Sequence, residues 1–76
     1  MKLVPISGKK LCKIAEKLGF NKARQVGSHC RYIHPDGRKT TIPLHGNEEI
    51  SLSLLPEILK QMEISREEFH KLREKV

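Results

Sequence analysis

The sequence predicts a two-layer α+β domain in which one helix precedes a three-stranded antiparallel sheet, a second helix follows the sheet, and a short helix ends the chain. Two stretches place apolar residues three and four positions apart, which is the spacing of one helix face. Between them lies a stretch rich in β-branched residues and divided by turn signals. A chain of 76 residues fits one such domain, residues 1–76.

The first helix is predicted over residues 7–18. Ser7 is a suitable N-cap because its hydroxyl can accept from backbone N–H groups of the first turn. Gly19 stands where a helix end favours a left-handed residue. One apolar stripe runs along this helix at the positions Leu11, Ile14, Ala15 and Leu18.

The central stretch predicts an antiparallel meander. Gly27-Ser28 is a weak turn signal, and Pro35-Asp36-Gly37 is a strong one. Pro43 cannot donate a ladder hydrogen bond, so the third strand is expected at an edge. The register is left open because the second strand mixes polar and apolar residues on both parities. The strands are predicted near residues 22–27, 29–34 and 38–44.

Two further helices complete the predicted layer. The second is expected near residues 54–62 with Ser53 as its N-cap, which would place Pro56 in the first turn, where a missing N–H does no harm. The third is expected to begin with Ser65 and Glu68 as a capping pair. The apolar stripe of the second helix is Leu55, Ile58, Leu59 and Met62.

Positive charge is concentrated in the first part of the chain. The net charge is +6. Residues 1–45 hold ten basic and two acidic groups, a net of +8, and residues 46–76 hold five basic and seven acidic groups, a net of −2. Such a distribution indicates a polyanion partner, with surface charge for solubility as the alternative. A stripe of lysines at helical spacing, here called the lysine stripe, is formed by Lys9, Lys13 and Lys17.

The residue patterns disfavour several kinds of chemistry. His29 and His34 are five apart on a predicted strand and would point to opposite faces, so we expect no metal site. Cys12 and Cys30 are expected to be reduced thiols, with Cys30 buried as a small apolar side chain. No nucleotide-binding or cofactor motif is present, and we expect no cofactor. No apolar run approaches the length of a membrane span, and a cytoplasmic protein is expected.

General acid–base chemistry remains compatible with these residues. The 2′-hydroxyl of RNA can attack its own phosphate if one group removes its proton and another protonates the leaving oxygen. Histidine suits both tasks near neutral pH. His29, which follows a turn glycine in a basic stretch, is therefore a candidate, although most exposed histidines are inert.

Several blocks of the sequence together resemble the HicA family. Its members are small bacterial and archaeal toxins of type II toxin–antitoxin pairs. The blocks are residues 24–29 (RQVGSH), 34–43 (HPDGRKTTIP) and 45–48 (HGNE). Residues 54–61 and 64–69 also match the family pattern. The chain departs from that pattern at Leu52-Ser53 and at Pro56, and a shifted start of the second helix is the expected consequence.

The resemblance implies a fold similar to double-stranded RNA-binding domains and the activity of a metal-independent mRNA interferase. It implies His29 of the Gly-Ser-His motif as the catalytic histidine, mRNA as the substrate and a HicB antitoxin as the partner that neutralises the toxin. His34 and Asp36 are expected to be structural. The expected RNA contacts are Lys9, Lys10, Lys13, Lys17, Arg24, Gly27, Ser28 and Arg31.

Two other functions stay open at this point. The first is a module that binds double-stranded RNA through backbone and 2′-hydroxyl contacts without cutting it. The second is a regulatory protein with no role in nucleic-acid binding. The net charge of −2 over residues 46–76 disfavours the first of these, because a binding module would benefit from basic residues there.

Overall fold

The computed structural model describes residues 2–76 and shows the predicted order of elements. The elements are α1 (Gly8–Lys17), β1 (Asn21–Val26), β2 (His29–Ile33), β3 (Lys39–Pro43), α2 (Leu55–Met62) and α3 (Arg66–Arg73). The strands form one antiparallel sheet in the order β1–β2–β3, so Pro43 lies on an edge strand as predicted. The α+β prediction is confirmed, including the short C-terminal helix. Among residues 2–76, no helix combines the length and apolar character that a membrane crossing requires.

Helix α1 lies within the predicted residues 7–18, and Ser7 is its N-cap as predicted. Ser7 has an extended backbone, and its Oγ accepts from the Lys10 backbone N–H at 3.2 Å. The C-cap is Leu18, and Gly19 follows with a φ of +96°. A Cβ at Gly19 would lie 3.0 Å from His34 Nε2, so both the backbone conformation and the available space favour glycine.

Strand β2 divides the sheet into a covered face and an open face. Cys30 and Tyr32 are buried, whereas His29 and Arg31 are exposed. Successive side chains of a strand point to opposite sides. The helices cover the side of Tyr32, since its hydroxyl donates to Glu16 of α1 at 2.7 Å. The side that carries His29 and Arg31 is called the open face below.

The core lies between the helices and the covered face of the sheet. Cys30 is buried, as predicted, and both cysteines are free thiols. Burial raises the pKa of the Cys12 thiol to about 11, so this thiol is protonated at neutral pH. The largest fully buried side chains include Tyr32, Phe20, Phe69, Ile6, Leu11, Ile14, Ile42, Leu55, Ile58 and Met62.

The predicted cap of α2 was wrong, although the position of Pro56 was right. The N-cap is Leu54, whose side chain offers no hydrogen bond. The carbonyl of Ser51 instead accepts from the backbone N–H groups of Leu54 and Leu55. Ser53 is engaged elsewhere, because its hydroxyl lies 2.7 Å from that of Ser51. A turn ahead of the helix thus replaces the side-chain cap, and Pro56 falls in the first turn.

Helix α3 starts at its predicted cap and packs through one aromatic side chain. Ser65 Oγ accepts from the Glu68 backbone N–H at 3.0 Å. Phe69 is completely buried in the core. At the far end of the helix, Arg73 Nη2 donates to the Pro5 carbonyl at 3.0 Å. The C-terminal helix is therefore bonded to the segment that leads into α1.

The turn between β2 and β3 connects the ends of two helices. His34 Nε2 donates to the carbonyl of Leu18 at 3.0 Å, and His34 Nδ1 accepts from the Asp36 backbone N–H at 3.1 Å. Arg38 Nε donates to Asp36 Oδ2 at 2.8 Å, and Arg38 Nη1 donates to the carbonyl of Met62 at 2.6 Å. Hydrogen bonds from Arg38 hold the pKa of Asp36 below its ordinary value. His34 and Asp36 thus have the structural role expected for them.

Replacing Arg38 with alanine should destabilise the fold. The change removes the donor to the carbonyl of Met62 and the partner of Asp36, and it uncovers Phe20, whose ring centroid lies 5.1 Å from the guanidinium carbon. We expect a loss of about 1–3 kcal/mol in the free energy of unfolding, measured by urea denaturation. The exposed Arg24 serves as control, and Arg24→Ala should change stability by less than about 0.5 kcal/mol. Equal midpoints for both variants would contradict this role of Arg38.

Candidate active site

His29 is the first residue of β2 and follows a tight turn. Gly27 in that turn has a φ of +58°, and a Cβ there would meet nothing within 4 Å, so the left-handed backbone alone accounts for the glycine. The Leu44 backbone N–H donates to the carbonyl of Ser28 at 2.6 Å, which connects the turn to the end of β3. The exposed imidazole therefore extends from a backbone that is held on both sides.

Three hollows meet at His29, and its side chain lines all of them. The first has a volume of about 510 Å³ and lies between β3 and α2. We call it the β3–α2 groove. Besides His29, it is lined by Arg31, Lys39, Thr40, Thr41 and Pro43 on the sheet and by Leu54, Glu57, Ile58 and Gln61 on the helical side.

The second hollow, called the His45 hollow, brings a second imidazole to the same place. It has a volume of about 460 Å³ and is lined by His29, His45, Glu48 and Glu49, among others. His45 belongs to the loop after β3 and is exposed. Imidazoles and carboxylates are the side chains that most often transfer protons in enzymes. The hollow thus collects groups that can accept and donate protons beside His29.

The third hollow lies on the open face and is basic. It is lined by Arg24, Val26, His29, Arg31 and Thr41. The three strands contain four Lys and Arg residues and no Asp or Glu. Arg24 stands directly opposite Arg31 in the β1–β2 pair, an arrangement of like charges that costs stability. An anionic ligand across this face would remove that cost.

An irregularity in β1 places Arg24 on the open face. Lys22 is opposite Tyr32, whose side chain faces the helices, and Arg24 is opposite Arg31, whose side chain faces away from them. In a regular strand, residues two apart share one face. The register shift between Lys22 and Arg24 therefore reverses the direction of Arg24. Bulges of this kind commonly re-aim a side chain beside a binding site.

The lysine stripe lies on the other side of the molecule from His29. Lys9, Lys13 and Lys17 are exposed on α1, whose buried side chains pack toward the covered face of the sheet. Lys10 lines a separate hollow of about 270 Å³ that it shares with Arg73. The structure therefore brings together Arg24, Gly27, Ser28, His29 and Arg31, and it keeps the four lysines of α1 apart from them.

Several residues of the candidate site were not predicted from the sequence, among them three of the β3–α2 groove. Lys39, Glu57 and Gln61 all line the β3–α2 groove with His29. The only sequence signal is that Glu57 and Gln61 are four apart, which places them on one helix face. Among residues 2–76, no group of three His, Cys, Asp or Glu side chains is arranged to hold a metal ion.

The fold and the site together define a small basic α+β domain with an exposed histidine on the open face of its sheet. The family model described as the HicA toxin of bacterial toxin–antitoxin matches residues 8–64, which include every element except α3. The chain therefore belongs to the HicA toxin family, and this membership implies an antitoxin as partner. A search of the curated proteins finds no match.

The histidines should differ in their reaction with diethyl pyrocarbonate. His29 and His45 are exposed, whereas both ring nitrogens of His34 are hydrogen-bonded. We expect His29 and His45 to be modified well before His34, as measured by peptide mass spectrometry over a time course. When urea unfolds the protein, the modification rates of His29, His34 and His45 should become similar. This measurement controls for differences in intrinsic reactivity. Early modification of His34 would contradict the described geometry.

Proposed function

We propose that the protein is a metal-independent mRNA endonuclease, an mRNA interferase, in which His29 is the general acid–base residue. The observation that carries this proposal is the exposed imidazole at the meeting point of three hollows on a basic face. Membership in a toxin family agrees with an activity that arrests growth. Because mRNA is the proposed substrate, we place its action in the cytoplasm.

The proposed reaction takes its nucleophile from the RNA. A base removes the proton of a 2′-hydroxyl, the oxygen attacks the adjacent phosphorus, and the bond to the 5′-oxygen breaks. The products are a 2′,3′-cyclic phosphate and a new 5′-hydroxyl, which receives a proton from an acid. The guanidinium groups of Arg31 and Arg24 lie on the same face as His29 and would stabilise the negative charge that builds on the phosphorus oxygens.

Two proton transfers require either one histidine that acts twice or two groups that share the work. His45 lines the same hollow as His29, so we assign it the second transfer. The attacking and leaving oxygens lie on opposite sides of the phosphorus in an in-line displacement, and groups from two different elements suit such an arrangement. His29 comes from β2, and His45 comes from the loop after β3.

The antitoxin is proposed to be of the HicB type and to act by covering the open face. A basic surface that binds RNA phosphates also attracts acidic side chains of a protein. Arg24 and Arg31 are exposed and opposite each other, so carboxylates placed between them would pair with both. Bound in this way, the antitoxin would exclude RNA from His29.

Replacing His29 with alanine should abolish RNA cleavage while leaving RNA binding nearly intact. General acid–base groups contribute about 10²–10⁴-fold to rate, so we expect at least a 100-fold loss. The measurement is cleavage of a labelled mRNA on a sequencing gel, with growth arrest on expression as a second readout. The matched control is His70→Ala. His70 lies on α3, away from the site, and its Nε2 donates to the carbonyl of Lys2. His45→Ala should also slow cleavage and change the shape of the pH–rate profile. Full toxicity of His29→Ala would refute the assignment.

Charge removal on the two basic surfaces should separate cleavage from the alternative of double-stranded RNA binding. The double variants Arg24→Ala/Arg31→Ala and Lys13→Ala/Lys17→Ala each remove two positive charges. We expect the arginine double variant to bind unpaired RNA more weakly. A plot of the logarithm of its binding constant against the logarithm of salt concentration should be less steep by about 1.4, which is 0.7 for each lost phosphate contact. The lysine pair should change both much less. A larger effect from the lysine pair, on double-stranded RNA, would favour the binding module.

A further inference from the structure

On its helical side, the β3–α2 groove combines apolar residues with one side chain that accepts hydrogen bonds and one that can donate them. Pro43, Leu54 and Ile58 form the apolar part, and Leu54 is 42% exposed at its rim. Glu57 and Gln61 are the polar lining that α2 contributes, and His29, Arg31, Lys39, Thr40 and Thr41 are the polar lining from the sheet. A volume of about 510 Å³ lies within the usual range of about 300–1,000 Å³ for sites that enclose small ligands.

The amide of Gln61 is oriented by a buried neighbour. Thr40 is only 2% exposed, and its Oγ1 donates to Gln61 Oε1 at 2.8 Å. Because this bond engages the amide oxygen, the amide nitrogen is the end left to donate to a ligand. Gln61 is therefore a positioned hydrogen-bond donor in the groove.

Glu57 supplies the opposite character one helical turn earlier. Residues four apart on a helix lie one above the other, so the carboxylate of Glu57 and the amide of Gln61 form neighbouring polar points on one wall. An ionised carboxylate only accepts hydrogen bonds, and it can accept two side by side. A ligand that fits both residues needs two adjacent N–H donors next to an acceptor.

We propose that the β3–α2 groove binds one unpaired base of the RNA beside the cleaved phosphate and selects guanine. Guanine alone among the four bases presents N1–H and N2–H₂ side by side for a carboxylate, with O6 next to them for the amide of Gln61. Adenine and cytosine offer one amino group at that edge, and uracil offers one N–H. The apolar walls would cover the faces of the ring, as is usual for bases read outside a helix.

The position of the groove connects base binding to cleavage. His29 and Lys39 line the groove together with Glu57 and Gln61. A base seated against α2 leaves its own backbone at the open side of the groove, toward the imidazole of His29. The cation of Lys39 would meet a phosphate there. The inference rests on the proposed function, because it assigns a specificity to the same site.

The experiment uses the whole chain and a pool of unpaired RNA with a randomised segment, and both product ends are sequenced. We expect guanine at one position beside the cut to be preferred about tenfold or more, as for other bidentate contacts to a base. Replacement of that guanine by inosine, which lacks only the 2-amino group, should reduce the rate for the native protein. Cleavage with equal use of the four bases, or with preference for another base, would overturn the inference.

Two variants and one control test the named residues. Glu57→Gln loses the double acceptor and should bring the use of the four bases close to equal, with a smaller effect of inosine. Gln61→Leu should also reduce the preference. Glu67→Gln makes the same chemical change on α3, where Glu67 faces Lys71 at 3.7 Å, and should keep the preference. Urea midpoints establish that each variant is folded. If Glu57→Gln keeps the full preference, the inference is wrong while cleavage by His29 stands; if the native protein cuts no RNA, the proposed function itself fails.

Discussion

The inward direction of the Cys30 and Tyr32 side chains on the central strand determines the face on which His29 and Arg31 lie. Both side chains are buried against the helices, and the hydroxyl of Tyr32 is bonded to Glu16 of α1. Burial and the bond to Glu16 also raise the pKa of the Tyr32 phenol, which therefore stays neutral. A strand alternates strictly, so His29 and Arg31 must point away from the helices. The helices of this chain cover one face of the sheet, and the other face is left open.

The turn between β2 and β3, which carries His34 and Arg38, has a structural role. His34 packs edge-on against Phe20, with ring centroids 5.1 Å apart, and Arg38 lies over the same ring. Through Leu18 and Met62 the segment bonds to the ends of α1 and α2. The turn thus holds both helices at a fixed distance from the sheet, and the β3–α2 groove depends on that distance. His34 thus contributes to stability, whereas His29, by our proposal, contributes to chemistry.

Local rules predicted much of the fold because they act over a few residues. The caps Ser7 and Ser65 follow from hydroxyls placed before apolar stripes, and both are present. The Ser53 cap was wrong because Ser51 competes for the same backbone donors, which the stripe alone does not reveal. The strand register could not be predicted, since the apolar residues of the second strand fall on both parities, with Cys30 and Tyr32 on one and Ile33 on the other.

The site was harder to predict than the fold, because its members meet only in three dimensions. The residues around His29 belong to one continuous stretch of sequence and could be proposed for that reason. Glu57 and Gln61 come from α2, and their place beside His29 depends on both the register of β3 and the rotation of the helix. The net charge also does not indicate on which side of the molecule the lysines lie. The structure places the lysines of α1 away from Arg24 and Arg31.

The central position of β2 has a consequence for dynamics. His29 is opposite Val26 on one side and Pro43 on the other, so its strand is held by both neighbours. Segments paired on two sides open mainly when the whole domain opens, and their amide protons exchange with solvent most slowly. Displacing the imidazole of His29 from its place on the sheet would then require unfolding of the whole domain rather than local opening of an edge strand. A protease that acts on opened chains would remove the toxin and its activity in the same event.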